Sequence, residues 1–292
     1  MSDIKVFDPR TKSEIIEKVY GGALLRFAYE NKVLRTLISS PIIQKPISKI
    51  FGELKKSSSS AKQVHSFIKE YNIQIEDFEV PENGFRTFND FFIRKKKKIT
   101  FPEGKTLGSP CDARLSLAKI QNGVPVLKIK DKEVPLPTLL GASKARCPQE
   151  GWALTFRLCP VDYHRYHFVD SGKTEETILL GTLLHSVNPW ALEQEPQIFE
   201  WNERQLTVQQ SENFGEIFYI EVGAMCVGCI HQTYESQSVV SRGQEKGYFD
   251  FGGSTQVLLL GKNFKPNEDI LEASNRGLEY LVQVGDVLGV CQ

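Results

Sequence analysis

Three stretches of this sequence hold residue types that could do chemistry. The first is Phe251-Gly252-Gly253-Ser254-Thr255, which leads into the apolar run Gln256–Leu260. Two glycines before a hydroxyl make a tight turn, and most such turns only supply backbone angles that other residues avoid. Gly253 lacks a side chain, however, so the Oγ of Ser254 can approach the preceding carbonyl carbon. Glycine also tolerates the angles that strain that peptide bond. An activated Ser254 would turn the Gly253 amide into an ester.

The second stretch is Pro160-Val161-Asp162-Tyr163-His164-Arg165-Tyr166-His167, with two of the five histidines three residues apart. On a helix they would share a face, and in a turn they could converge on one pocket. A metal site is one reading, although further ligands at a typical spacing are lacking in the sequence. Partly buried structural histidines are a second. General base chemistry is a third, because imidazole titrates near neutral pH. The third stretch is Ser109-Pro110-Cys111-Asp112-Ala113-Arg114. Asp112 is either a turn residue or the carboxylate that orients a histidine in a hydroxyl–imidazole–carboxylate set. Cys226-Val227-Gly228-Cys229 is a single C-x-x-C among apolar neighbours. It reads as buried structural thiols sooner than as a redox pair or half a zinc site.

The elements that must position these groups change character along the chain. Ser13–Ser39 carries apolar residues at steps of three and four and predicts an amphipathic helix. Ile47–Leu54 and Ala61–Tyr71 predict shorter helices, joined by a polar linker over 55–60. From Thr106 onward, short Val-, Ile-, Phe- and Tyr-rich runs separated by Gly and Pro predict strands. These are Val124–Ile129, Ala153–Leu158, Thr177–Leu184, Ile217–Val222, Val227–Ile230 and Thr255–Leu260. Gly285-Asp286 between apolar residues predicts a hairpin turn. The expected fold is α+β: a largely antiparallel β catalytic body, residues 76–292, behind an N-terminal amphipathic helical segment, residues 1–75.

Charge sharpens this division. The chain is neutral overall, with 36 Lys/Arg against 36 Asp/Glu, so nothing global points to nucleic acid. Residues 1–110 hold 20 Lys/Arg and 13 Asp/Glu, and residues 111–292 hold 16 and 23. The basic half predicts contact with an anionic membrane surface through residues 1–75, the rival being a helix packed on the protein's own core. A second lipid contact is expected at the aromatic run Phe88–Phe92 beside Arg94–Lys98. The start of the chain is polar and does not read as a signal peptide, and no apolar run is long enough to span a bilayer. Free thiols are therefore the default for the six cysteines.

In order and company, these stretches resemble the phosphatidylserine decarboxylase family. The matching pieces are Phe88–Arg94, Ser109–Asp112, Pro160–His167, Val222–Gly228 and Lys246–Thr255. Two departures stand out: Gly252 occupies the place of the family's usual Leu, and Ala113 the place of a usual Gly. The resemblance implies self-cleavage between Gly253 and Ser254, giving chains 1–253 and 254–292 that stay together as a heterodimer, with any further oligomerisation left open. It implies that Asp112 orients His167, that His167 activates Ser254, and that Ser254 becomes a covalent pyruvoyl cofactor. That group would form a Schiff base with phosphatidylserine, with His164 protonating the product carbon or holding the carboxylate, and no metal. The implied products are phosphatidylethanolamine and carbon dioxide, made in phospholipid biosynthesis by a peripheral protein of the cell membrane. A related pyruvoyl decarboxylase of a free amino acid is the alternative. A non-enzymatic membrane module is disfavoured by the joint presence of Asp112, His167 and Ser254.

Overall fold

The run from Ser254 decides the centre of the fold. Every residue from Ser254 to Leu260 is buried, so this strand must be covered on both faces. In the computed structural model it pairs antiparallel with Gly215–Gly223 on one edge and Glu150–Leu158 on the other. The residues described are 4–17, 30–31, 50, 52–129, 132–135, 139–141, 146–181, 183, 201–223, 230–252 and 254–292.

The large sheet grows outward from this strand. Ala113–Gln121 follows Glu150–Leu158, then Glu279–Val282, then Lys5–Asp8 and Ser13–Ile16 at the edge. On the other side lie Arg204–Ser211, Gly172–Thr174 and Ile178–Leu180. Among the described strands only Lys5–Asp8 and Glu279–Val282 pair in parallel. This is the antiparallel-rich α+β architecture expected. Two three-stranded sheets flank it. One is Ile230–Gln232, Glu245–Phe249 and Arg165–His167; the other is Phe264–Pro266, Val287–Cys291 and Thr106–Gly108.

Helices brace the sheets, with a further helical stretch over residues 52–56. Helix α1, Lys62–Tyr71, buries Val64 and Phe67 and ends at Asn72 in the left-handed region. Helix α2, Phe88–Phe92, is capped by the Thr87 hydroxyl, which accepts from the Asp90 N–H. Helix α3, Glu268–Asn275, is capped by Asn267 and buries Ile270, Ala273 and Ser274. The Ser274 hydroxyl accepts the N–H of Leu117, which pins α3 to the large sheet.

Several expectations need correction. Ser13–Ile16, expected as the start of a helix, is an edge strand with all four residues exposed. Its helix-like spacing reflects two adjacent isoleucines, and pairing with Lys5–Asp8 overrides it. Residues 5–16 therefore join the large sheet, so a boundary at residue 75 does not separate them from it. The rest of that expected helix, 18–29 and 32–39, lies outside the described residues, as do Val227–Cys229 of one expected strand. The expected strand Thr177–Leu184 is Ile178–Leu180. The 55–60 linker includes residues of a 3-10 turn, Ser58–Ala61, and Ser60 is buried with its hydroxyl accepting from the Phe88 N–H at 2.8 Å. The Gly285-Asp286 turn joins two different sheets instead of closing a hairpin. Phe88, Phe91 and Phe92 are buried in a cluster with Val64, Phe67 and Phe251. At about 1.5–3 kcal/mol per buried side chain they belong to the protein's core, and they are not lipid anchors.

Candidate active site

Two neighbouring strands leave the large sheet together and enter the same small sheet. Ser254 faces Leu158 in the large sheet, and Tyr248 faces Arg165 in the small one. Between these two registers run the connections 159–164 and 249–253. The Phe249 N–H donates to the His164 carbonyl at 3.0 Å, so the connections are joined at that point. The structure thus brings the histidine segment against the turn that ends at Ser254. Gly253 lies outside the described residues, and Gly252 holds φ +151°, a backbone region that glycine favours.

Ser254 is fully buried, and its Oγ has no hydrogen-bond partner among the described residues. Buried hydroxyls are nearly always satisfied, so an orphan marks strain or a place where a reacting group belongs. His164 shares this property. Its Nδ1 lies 3.1 Å from the Asp162 carbonyl, which requires the proton on Nδ1 and leaves the lone pair on Nε2. That Nε2 is buried and unpartnered among the described residues. The ring stacks on Phe92 with centroids 3.7 Å apart. Burial, aided by the nearby Arg94 charge, holds the imidazole well below its usual pKa.

His167 closes the short strand Arg165–His167. Its N–H donates to the Pro110 carbonyl at 3.0 Å, which brings the Ser109–Asp112 segment alongside. Its Nδ1 donates to the Gly243 carbonyl at 3.0 Å, so Nε2 carries the lone pair. The Tyr163 hydroxyl, 3.1 Å away, donates to that Nε2. Burial lowers the His167 pKa, opposed by the Gly243 hydrogen bond. Both histidines are therefore neutral near pH 7 and available as bases.

Asp112 does not hydrogen-bond His167. Its Oδ1 accepts from Lys96 Nζ and from the Val284 N–H, each at 2.8 Å. Lys96 lies 5.3 Å from the centroid of the Tyr163 ring. The expected direct Asp112–His167 pair is thus replaced by a chain of neighbours, Asp112–Lys96–Tyr163–His167. Oriented by a backbone carbonyl, His167 has no need of the carboxylate to fix its tautomer. Lys96, expected on a solvated or lipid-facing run, is largely enclosed, and Arg94 is buried with its guanidinium donating to the carbonyls of Phe91, Val161 and Asp162.

A buried polar network stands behind Ser254 on the same strand. Gln256 Nε2 donates to Glu221 Oε1, while Glu221 Oε2 accepts from Lys246 Nζ at 2.8 Å and Gln232 Nε2 at 3.0 Å. Lys246 is fully buried, and aromatic rings of Tyr166, Phe168, Tyr219 and Tyr234 surround its ammonium. Burial lowers its pKa, against the pull of Glu221.

The family model of phosphatidylserine decarboxylase matches residues 88–289, which spans every element of this site. The chain is 40% identical over 294 residues to a phosphatidylserine decarboxylase proenzyme of Clostridium tetani, covering 98% of each chain. It is 38% identical over 291 residues to that of Clostridium novyi, covering 98% and 99%. A Clostridium perfringens proenzyme of the same name matches at 38% over 292 residues. The chain belongs to the phosphatidylserine decarboxylase family.

Sequence reasoning singled out Asp112, His164, His167 and Ser254 but missed Tyr163 and Lys96. Tyr163 was visible as the residue four before His167. Lys96 was hidden in a basic run whose other members are mostly exposed. Cys226 and Cys229 lie outside the described residues. Cys111, Cys147, Cys159 and Cys291 are free thiols, the first three buried.

Proposed function

We propose that the chain cuts itself between Gly253 and Ser254 and then decarboxylates phosphatidylserine at a pyruvoyl group left on residue 254. The observation that carries this reading is the pair of buried, unpartnered atoms, Ser254 Oγ and His164 Nε2, at the junction where the two sheets exchange strands. A buried hydroxyl stored without a partner is what self-processing needs, an imidazole stored beside it is what the later decarboxylation needs, and a purely structural turn avoids both.

In maturation, Ser254 gives its proton to Nε2 of His167, whose lone pair the Tyr163 hydroxyl holds until then. Oγ attacks the Gly253 carbonyl carbon, and the peptide nitrogen leaves as an amine, which makes an ester. Loss of the residue-254 α proton expels the Gly253 carboxylate and leaves a dehydroalanine. Water converts that to a terminal ketone and ammonia. The residues present fit such a group, because Ser254 is enclosed and its strand is anchored by the Glu221–Gln256 bond. Once formed, the pyruvoyl group supplies a carbonyl that takes up the substrate amine and accepts electrons as carbon dioxide departs.

His164 serves the second stage. Its neutral, lowered-pKa imidazole presents Nε2 to the buried space, where it holds or delivers a proton at the substrate carbon. Phe92 and the Asp162 carbonyl fix its plane and tautomer. Chains 1–253 and 254–292 remain together through strand pairing, since the small chain supplies Ser254–Gly261 and Glu279–Val282 to the large sheet. The basic N-terminal region keeps the protein on the anionic face of the cell membrane, where the head groups are. No described helix is long and apolar enough to cross a membrane.

Vesicles containing phosphatidylserine labelled in the serine carboxyl test the reading. Release of labelled carbon dioxide with formation of phosphatidylethanolamine is expected, together with a reducible amine adduct on the small chain only. Release from free serine but not from vesicles would overturn the lipid substrate in favour of a soluble amino acid.

A further inference from the structure

Asn89 belongs to helix α2, is 6% exposed, and has no role in the scheme above. Its carboxamide makes two hydrogen bonds, both to the turn ahead of Ser254. Asn89 Oδ1 accepts the backbone N–H of Phe251 at 2.9 Å, and Asn89 Nδ2 donates to Asp250 Oδ1 at 2.9 Å. The other oxygen of Asp250 accepts from Lys56 Nζ and His231 Nε2, each at 2.9 Å. Asp250 and Phe251 are therefore clamped on the main chain and the side chain just before the residues whose peptide bond must be distorted.

The same five-residue helix also grips the imidazole. Phe92, three positions on, stacks on His164 at 3.7 Å and meets Phe251 edge-on at 5.1 Å. Phe88 meets Phe251 at 5.3 Å. Phe88, Phe91 and Phe92 are locked in the core, and the Phe88 N–H is held by Ser60. The helix is thus a rigid gauge with one side on the turn and the other on the histidine. A buried amide that makes both its bonds to one turn is a costly way to fill space, and two apolar neighbours would fill it as well.

We propose that Asn89 is a positioning residue for self-cleavage: its carboxamide sets the turn at Asp250-Phe251 so that the Ser254 hydroxyl meets the carbonyl it attacks. This rests on the self-cleavage reading. Asn89 touches no reacting atom. It acts through the Phe251 main chain, and only in the precursor is that chain continuous with Ser254.

The test compares self-cleavage rates of the full chain, expressed at low temperature and followed by gel after warming, with thermal melting run in parallel. Asn89→Leu removes both bonds at similar volume. Asn89→Asp keeps the acceptor for Phe251 but faces Asp250 with a second carboxylate. Asp250→Asn in that background restores a donor across the pair. Asn89→Leu and Asn89→Asp are expected to cleave at least about tenfold more slowly, because small misplacement of reacting atoms costs up to ~10²-fold. The double variant Asn89→Asp/Asp250→Asn is expected within about threefold of Asp250→Asn alone, the spread usual for a retained contact. A merely structural role would lower the melting temperature of these variants without moving the rate of the chains that remain folded. Wild-type rates in both single variants, or no recovery in the double variant, would overturn the inference. Should Asn89→Leu fail to fold, the Asp/Asn exchange decides. A wild-type chain that never splits would sink the self-cleavage reading itself, a result distinct from unchanged rates in the variants.

Discussion

The Phe249 N–H donates to the His164 carbonyl at 3.0 Å, and through that bond the histidine segment and the turn ahead of Ser254 share one backbone frame. Two strands that are neighbours in the large sheet remain neighbours in the small one, and the chemistry lies in the gap where they cross over. Distance between catalytic groups is set here by strand register more than by any single side chain.

The proposed scheme gives the two imidazoles different tasks. His164→Ala leaves His167, Pro110 and Gly243 in place, so the chain should still split while decarboxylation falls by about 10²-fold or more, the usual worth of a positioned acid–base group. His167→Ala should leave most of the chain uncut. Gel analysis of the two purified variants, followed by a vesicle assay on the split one, checks both. Equal failure to split in both would contradict the division.

Lys96 and Asp112 should act as a pair. Asp112→Asn keeps an acceptor for the Val284 N–H but loses the ion pair to Lys96. Because the carboxylate makes no hydrogen bond to His167, self-cleavage is expected to slow by roughly tenfold instead of stopping, well short of the loss of the base itself. Lys96→Met should have a similar effect, and the two together no more than either alone. Abolished cleavage in Asp112→Asn alone would point to a direct contact with His167.

Acid should weaken the fold in two windows. His164 and His167 have folded pKa values below the unfolded value, so the unfolded chain binds protons first and stability falls as pH drops below about 6.5. Glu17 behaves in the second window. Burial pushes its carboxyl up, but Arg157 and Arg114 outweigh this and bring it to about 2. Its contribution, on the order of 3 kcal/mol, is present above pH 4.5 and lost as pH falls toward 2. Urea midpoints at several pH values check this, and Glu17→Gln should lower the midpoint at pH 7 and flatten the lower window.

Glu17 also limits how the N-terminal region can be probed. Removing residues 1–60 would delete Lys5–Asp8, Ser13–Ile16 and Glu17, and so damage the sheet as well as any membrane contact. Replacing Lys18, Arg26, Lys32, Arg35, Lys45 and Lys49 with glutamine spares those elements. Flotation with anionic vesicles should then fall at roughly 1 kcal/mol of binding per cation removed, while self-cleavage continues unchanged. Undiminished flotation would place the membrane contact elsewhere.

What the sequence disclosed and what it hid follow from range. Apolar runs such as Thr255–Leu260 and Ile217–Val222 announced the central strands, because burial on both faces leaves a local signature. The order of the Ser-Pro, His and Gly-Gly-Ser stretches announced the site. The edge strand Ser13–Ile16 did not, since two adjacent isoleucines fit a helical stripe as well as a strand. Asn89 and Lys96 were equally silent: their partners lie at Asp250 and Asp112, and no local spacing reports such pairings. The buried Lys246 was masked for the same reason, its counter-charge Glu221 arriving from another strand.

Whether Ser254 breaks its own main chain is read most directly from the intact mass of the purified protein. Two chains are expected, one with the mass of residues 1–253 and one lighter by a single ammonia than residues 254–292 with a free serine amine. Ser254→Ala is expected to stay one unbroken chain. A single mass equal to the full sequence in the wild-type protein, or a small chain that keeps its serine amine, would contradict that expectation.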